Sequence, residues 1–299
     1  MMRVVFMGTP EFAVPSLEAL AAAGYTIAGV ITQPDRPVGR GHKLAPPPVK
    51  AKALELGLPV YQFERLRAQE GLDCLRALAP DVAVTAAFGQ ILSKKLLAVP
   101  KFGTVNVHAS LLPRHRGAAP INWAIIQGDP VTGVTTMLTD AGVDTGAMLL
   151  SRETPIGAEE TAGELTERLS LLGAQLLVET LGALNTLAPT PQDEARMTYD
   201  PMLDKAMGEI DFGRGAREIV NLVRGVNPWP GARAGALKVW RAAAAEGEGA
   251  PGTVLAVKPL TVACETGALV LETVVPEGKG PMPGEAWALG RRFAPGALL

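Results

Sequence analysis

The sequence predicts an α/β fold: a mostly parallel sheet with helices on both faces, followed by a smaller β-rich domain. Three observations carry that prediction. Short β-branched runs alternate with helical segments from the N-terminus onward; a proline- and charge-rich stretch interrupts the alternation; and beyond residue 205 or so, glycine and proline separate several short β-like runs.

The first strand is the apolar run 3–7, ending at Gly8-Thr9-Pro10, and residues 11–23 read as a helix closed by Gly24. Further strands are expected at 25–31, around Val60, at 81–85 and at 104–108. Helical segments at 49–56, 71–78 and 93–98 lie between them, so the strands run parallel in a Rossmann-like sheet. Residues 118–127 read as a helix, and 131–139 and 147–154 as two strands paired across the turn between them. Residues 161–184 form a long amphipathic helix; Thr161 as N-cap and Glu164 three residues on make a capping box. Ala188-Pro189-Thr190-Pro191-Gln192-Asp193-Glu194 has the composition of a linker. Domains are therefore expected at 1–188 and 205–299, joined by 189–204. In the second, 215–223 reads as a helix, and 236–241, 252–257, 260–264 and 268–274 as the strands of a small barrel or sandwich. The Ala/Gly/Glu-rich stretch 242–250 is expected to be a mobile hairpin tip.

Composition narrows the function. Hydrophobic residues make up 47% of the 299 and aromatics only 5%, so the core is built mostly from Ala, Val, Leu and Ile. No apolar run approaches the roughly 20 residues of a membrane span. The start M-M-R-V-V-F-M-G has neither the apolar core nor the cleavage site of a signal peptide. A cytoplasmic location and no membrane partner are expected. Cys74 and Cys264 stand alone, and with three histidines they leave no metal-ligand spacing, so neither a disulfide nor a metal is expected. A net charge of −2 gives no global sign of a polyanion partner, which would need a local patch. Gly8-Thr9-Pro10 has one glycine where a dinucleotide-binding turn has three, which argues against a nicotinamide cofactor.

In open α/β sheets, ligands bind beyond the carboxyl ends of the strands. Asn106 and His108 lie at such an end, two residues apart and hence on one face. A polar strand end with an ordinary satisfied histidine would look the same. Ser110-Leu111-Leu112-Pro113 then turns the chain away, bringing backbone donors and a serine to the strand end. Asp144, between Gly142 and Gly146, follows the 131–139 strand in a turn that can approach a ligand closely; an ordinary turn aspartate is the alternative. Asp144-Thr145-Gly146 is also the aspartic-protease triplet, but no second copy supplies the paired carboxylate. With no nucleophilic cysteine or serine elbow, Asn, His and Asp together suit direct acyl transfer. Asn106 and His108 can donate to a developing oxyanion. Asp144 can support the imidazole, or take a proton from an attacking amine through water. Residues 33–48 form a long loop carrying Arg36, Arg40, His42 and Lys43 against one acid, Asp35. It is either a solvated charged loop or a basic finger for phosphates.

These pieces resemble one family. Asn106-Val107-His108-Ala109-Ser110-Leu111-Leu112-Pro113 with Arg116-Gly117, followed by Asp144-Thr145-Gly146, is similar to the signatures of 10-formyltetrahydrofolate-dependent formyltransferases. Gln33-Pro34-Asp35-Arg36-Pro37, Gly39-Arg40-Gly41, Gly117-Ala118-Ala119-Pro120, Asn227-Pro228-Trp229-Pro230 and Arg292-Phe293 resemble the branch that formylates initiator methionyl-tRNA. The likeness spans nearly the whole chain. His115, where an aromatic is expected, and the weakly charged Lys279-Gly280-Pro281 depart from it. The resemblance implies catalysis by Asn106, His108 and Asp144, and a folate donor lying along Ser110, Leu111, Leu112, Pro113, Gln90, Ile91 and Leu92. It implies tRNA contact through Arg36, Arg40 and Lys43, and an OB-like second domain that helps hold the tRNA. Separately, a monomer is expected. A related enzyme acting on a small amine, a catalytically silent tRNA-binding module and a formylfolate hydrolase are the rival readings.

Overall fold

A computed structural model describes residues 2–38 and 43–299. It divides into two compact units. The first comprises residues up to Gly117 together with Gly133–Thr154 and Thr166–Tyr199; the second comprises Ala118–Thr132, Pro155–Leu165 and Asp200–Leu299.

The first unit is built on strands Arg3–Gly8 (β1), Thr26–Thr32 (β2), Val60–Gln62 (β5), Val82–Ala86 (β6), Thr104–His108 (β7), Val131–Leu138 (β9) and Met148–Pro155 (β10). Their order is β10-β9-β7-β6-β1-β2-β5. Strands β5, β2, β1, β6 and β7 are parallel, and β9 is antiparallel to β7. The pairing of 131–138 with 148–155 matches the expected hairpin. Strand β1 is buried from Val4 to Gly8, the pattern of a central parallel strand covered on both faces. Strand order reverses between β1 and β6, the kind of switch point beside which open α/β sheets bind ligands.

Helices clothe both faces. Val5, Met7 and Ala83 share one buried cluster with Leu72, Leu75 and Leu78 of α3 (Gln69–Leu78) and Leu96 of α4 (Lys94–Leu97). On the other face, α6 (Ala162–Ala183) approaches so closely at Gly173 that a Cβ there would lie 2.8 Å from Val107 Cγ1. Helices α1 (Val14–Ala22) and α2 (Pro48–Glu55) complete the βαβ alternation. The expected single helix 11–23 is in fact a 3₁₀ turn, Glu11–Ala13, leading into α1, whose second residue is Pro15. The stretch read as a loop contains a short antiparallel strand pair, Arg36–Val38 (β3) with Lys43–Ala45 (β4). Two-residue strands lie at Arg116–Gly117 (β8) and Tyr199–Asp200 (β11).

The second unit contains α5 (Pro120–Ile126) and α7 (Ala216–Gly225). Its antiparallel sheet is formed by Ala232–Ala234 (β12), Leu237–Ala245 (β13), Val254–Val257 (β14), Leu260–Ala263 (β15), Ala268–Val275 (β16) and Met282–Pro283 (β17). Ile219 and Val223 of α7 pack with Val239, Val262, Leu269 and Leu271 in its core. The expected hairpin tip 242–250 is half strand: Ala242 to Ala245 pair with Leu271 to Ala268. Four alanines carry no strand preference of their own; the β16 ladder supplies the partner that decides it. Helix α8 (Gly284–Gly290) was not expected, because a glycine at each end and a length of about two turns leave little periodicity. The capping box at Thr161 forms as expected: Thr161 N donates to Glu164 Oε2 at 2.8 Å, and Glu164 N to Thr161 Oγ1 at 3.3 Å. Among the described residues, no helix is long and apolar enough to cross a membrane.

Candidate active site

Strand β7 delivers Asn106 and His108 to one face, the same face as Thr85 on β6, since Thr85 and Asn106 are register partners. Thr85 Oγ1 donates to Asn106 Oδ1 at 2.9 Å. That bond fixes the amide and leaves its NH2 with no partner among the described residues. His108 is buried. Its Nε2 lies 2.8 Å from the His115 carbonyl oxygen, which only accepts, so Nε2 carries a proton. Its Nδ1 faces Asp144 Oδ1 at 3.6 Å. The other Asp144 oxygen accepts from Gly117 N at 2.9 Å. The three expected residues thus gather at the carboxyl end of β7.

Asp144 reaches that point by a detour. Because β9 is antiparallel to β7, it ends beside Val105, at the amino end of β7, and Thr139 N donates to Thr104 O there. The chain then climbs back to bring Asp144 to His108. Asp144 is in the left-handed region (φ 54°), as is His115 (φ 60°), conformations that cost a residue with a side chain roughly 1–2 kcal/mol each. Polar contacts hold both. Gln192 Nε2 donates to the carbonyls of Asp144 and Gly146, at 2.8 Å each, and His115 N donates to Thr198 Oγ1 at 2.7 Å.

The turn after β7 is knitted from within. Ser110 Oγ donates to Arg114 O at 2.7 Å, and Thr135 Oγ1 bridges Ser110 O and Leu112 N. Ser110, Leu112 and Pro113 are buried, Leu111 partly so. Near the end of β6, Gln90 turns inward: its Oε1 accepts from Leu66 N and its Nε2 donates to Phe63 O. Leu92 is in the core, whereas Ile91 is 67% exposed and is the apolar side chain of this trio left on the surface. On β3, Arg36 pairs with Glu64 at 2.6 Å, both exposed, and Lys43, on β4, has no ion-pair partner among the described residues. Arg40 lies outside the described residues. Just before β3, hydrogen bonds from Lys50 and then Gln62 hold the Asp35 carboxyl below the usual carboxylate range. Among the described residues, no group of three or more His, Cys, Asp or Glu is placed to hold a metal.

Known proteins match this chain at two levels. The formyl transferase family model matches residues 2–181, and the model for the formyl transferase C-terminal domain matches 202–292. The methionyl-tRNA formyltransferase of Citrifermentans bemidjiense is 51% identical, over 100% of this chain and 96% of its own. That of Acetivibrio thermocellus is 48% identical, over 100% and 99%. The chain belongs to the methionyl-tRNA formyltransferase family. Solved formyltransferases share its fold: an N-formyltransferase from Helicobacter canadensis, in complex with folinic acid and dTDP-3-aminofucose, superposes with TM-score 0.68 at 18% identity, covering 92% of this chain and 99% of that one.

Within this family member, the sequence reading missed four residues that shape the site: Thr85, Thr135, Arg116 in its side-chain role, and Gln192. Thr85 left a signal, being the one polar side chain in the buried strand Val82–Ala86. Gln192 left none, since it lies in a stretch whose composition reads as a connector.

Proposed function

We propose that the protein transfers the formyl group of 10-formyltetrahydrofolate to the α-amino group of methionyl initiator tRNA. The observation that carries this reading is the meeting of Asn106, His108 and Asp144 at one strand end, in a chain that matches methionyl-tRNA formyltransferases from end to end.

The amine attacks the formyl carbon in its neutral form. The carbonyl π pair moves onto oxygen to give a tetrahedral oxyanion; as that pair returns to rebuild the carbonyl, the bond from the formyl carbon to N10 of the donor breaks, and the proton lost by the amine balances the one gained at N10. Asn106, its Oδ1 held by Thr85, offers its NH2 to the oxyanion. His108 offers the Nε2 proton that otherwise rests on the His115 carbonyl. Asp144 faces Nδ1 and supports the charged ring, or relays the amine's proton through water. The donor lies along Ser110–Pro113 and 90–92, with Ile91 as the exposed apolar contact for its ring and Gln90 and Leu92 shaping the segment from behind. Arg36, Arg40 and Lys43 touch acceptor-stem phosphates, and residues 205–299 help hold the tRNA after a catalytic domain of 1–188. The enzyme works as a cytoplasmic monomer without a metal.

The test is formyl transfer to charged initiator tRNA, run beside glycinamide ribonucleotide and amino-sugar nucleotides as acceptors. Transfer to the tRNA alone is the expected result. Transfer to a small amine instead, or hydrolysis of the donor without an acceptor, overturns the reading.

A further inference from the structure

The stretch 190–198 has the composition of a connector, yet it is laced to both loops of the candidate site. Thr190 exchanges two backbone hydrogen bonds with Met148, each 2.8 Å. Thr198 O accepts from Arg116 N at 3.0 Å, and Thr198 Oγ1 from His115 N at 2.7 Å. Between these anchors, Gln192 Nε2 donates to the carbonyls of Asp144 and Gly146. Gln192 Oε1 in turn accepts from Arg116 Nε at 2.9 Å, and the two Nη atoms of Arg116 fork onto Glu194 at 3.0 and 2.7 Å. Arg116 is 3% exposed, so its charge is satisfied by this strap.

We propose that residues 190–198 are a positioning strap, in which Gln192, oriented by Arg116, holds the Asp144 turn in register with His108. The need for a strap follows from the topology. Asp144 lies on a detour from the wrong end of the sheet, in a left-handed conformation, and among the described residues its carboxylate has only Gly117 N and His108 to face. One side-chain amide that binds the carbonyl of Asp144 itself and the one two residues on fixes both ends of that turn. Gln192 touches no reacting atom; it acts through Asp144. Displacing a catalytic group by about 1 Å lowers turnover by up to 100-fold without weakening substrate binding in proportion.

The inference rests on the proposed function for its kinetic arm only. Gln192→Met keeps the side chain's length and removes the amide. Its kcat for tRNA formylation is expected to fall by about 10-fold or more, with both KM values within about 2-fold of wild type. In the free protein, the ¹⁵N resonances of the His108 ring are expected to move in the same direction as in Asp144→Asn; a protein with three histidines makes them assignable. If Gln192→Met loses its cooperative melt, Glu194→Ala takes its place, since it releases the Arg116 fork from an exposed site and is expected to give the same two changes in smaller measure. Wild-type kcat with an unmoved His108 spectrum overturns the strap. A change in KM alone also overturns it, placing Gln192 in substrate binding. If the wild-type protein formylates no tRNA, the proposed function fails, and the His108 spectrum still decides the strap.

Discussion

Gly146→Ala tests how tightly the Asp144 turn is built. A Cβ on residue 146 would lie 1.7 Å from the Leu138 carbonyl oxygen, 2.9 Å from its carbon and 3.2 Å from Met137 Cε. The methionine tip can yield, but the carbonyl belongs to β9 and cannot. Restoring even the shortest tolerable contact, near 3.0 Å, requires the turn to move by about 1.3 Å. Asp144 lies two residues away and Gln192 binds both carbonyls, so the shift reaches the 3.6 Å approach to His108. Overpacking of this kind costs about 1–3 kcal/mol of stability. Misplacing a catalytic group by about 1 Å costs up to 100-fold in rate. The variant should therefore melt as a cooperative unit at a lower temperature, bind folate as wild type does, and formylate methionyl-tRNA about 100-fold more slowly. Single-turnover formylation with saturating donor separates the chemical step from binding. Near-normal single-turnover rates would refute the reasoning, because they would show that Asp144 tolerates displacement.

Asn106→Ala should lower kcat by about 100-fold, the worth of one oxyanion donor, with the melting temperature little changed. Thr85→Val should fall part-way, since it frees the amide without removing it; equal loss in both variants would mean Thr85 has a role of its own. Asp144→Asn should be severely slowed in steady-state assays, as a neutral amide supports no imidazolium. Arg40→Ala should raise the KM for tRNA and lower the salt slope of tRNA binding by about one unit, leaving folate affinity alone; an effect on folate alone would assign Arg40 to the donor pocket. Arg116 holds the Glu194 carboxyl below its usual range. The stabilisation from that depressed value is present above the unfolded pKa and lost as pH falls through the folded one. Acid melts should therefore show a low-pH component that Glu194→Gln lacks.

How much of this was legible in the sequence depends on how each contact is made. The parallel part of the sheet was legible because its central strands are buried runs separated by helical periods, and parallel pairing leaves few topologies for such a pattern. Asn106 and His108 were legible as a pair because a strand repeats every two residues. Asp144 was legible only by chemistry. The sequence shows an aspartate between glycines after a strand, but not that β9 runs antiparallel and starts the turn at the far end of β7. The detour makes the position of Asp144 a tertiary property, set by a glycine that clears Leu138 O and a glutamine 48 residues on. Neither has a period or a propensity to read. The proline-rich stretch around Gln192 looked like a connector for the same reason that it suits a strap: with only the Thr190 bridge and the 3₁₀ turn Glu194–Arg196 as regular structure, most of its backbone and side-chain groups are left to bind other loops. Local composition reports that such a segment lacks regular structure, while its hydrogen-bond partners, here Asp144, Gly146 and Arg116, are chosen by the fold. In a chain with this topology, the most informative residues to mutate outside the candidate trio of Asn106, His108 and Asp144 are those whose partners are other loops' carbonyls.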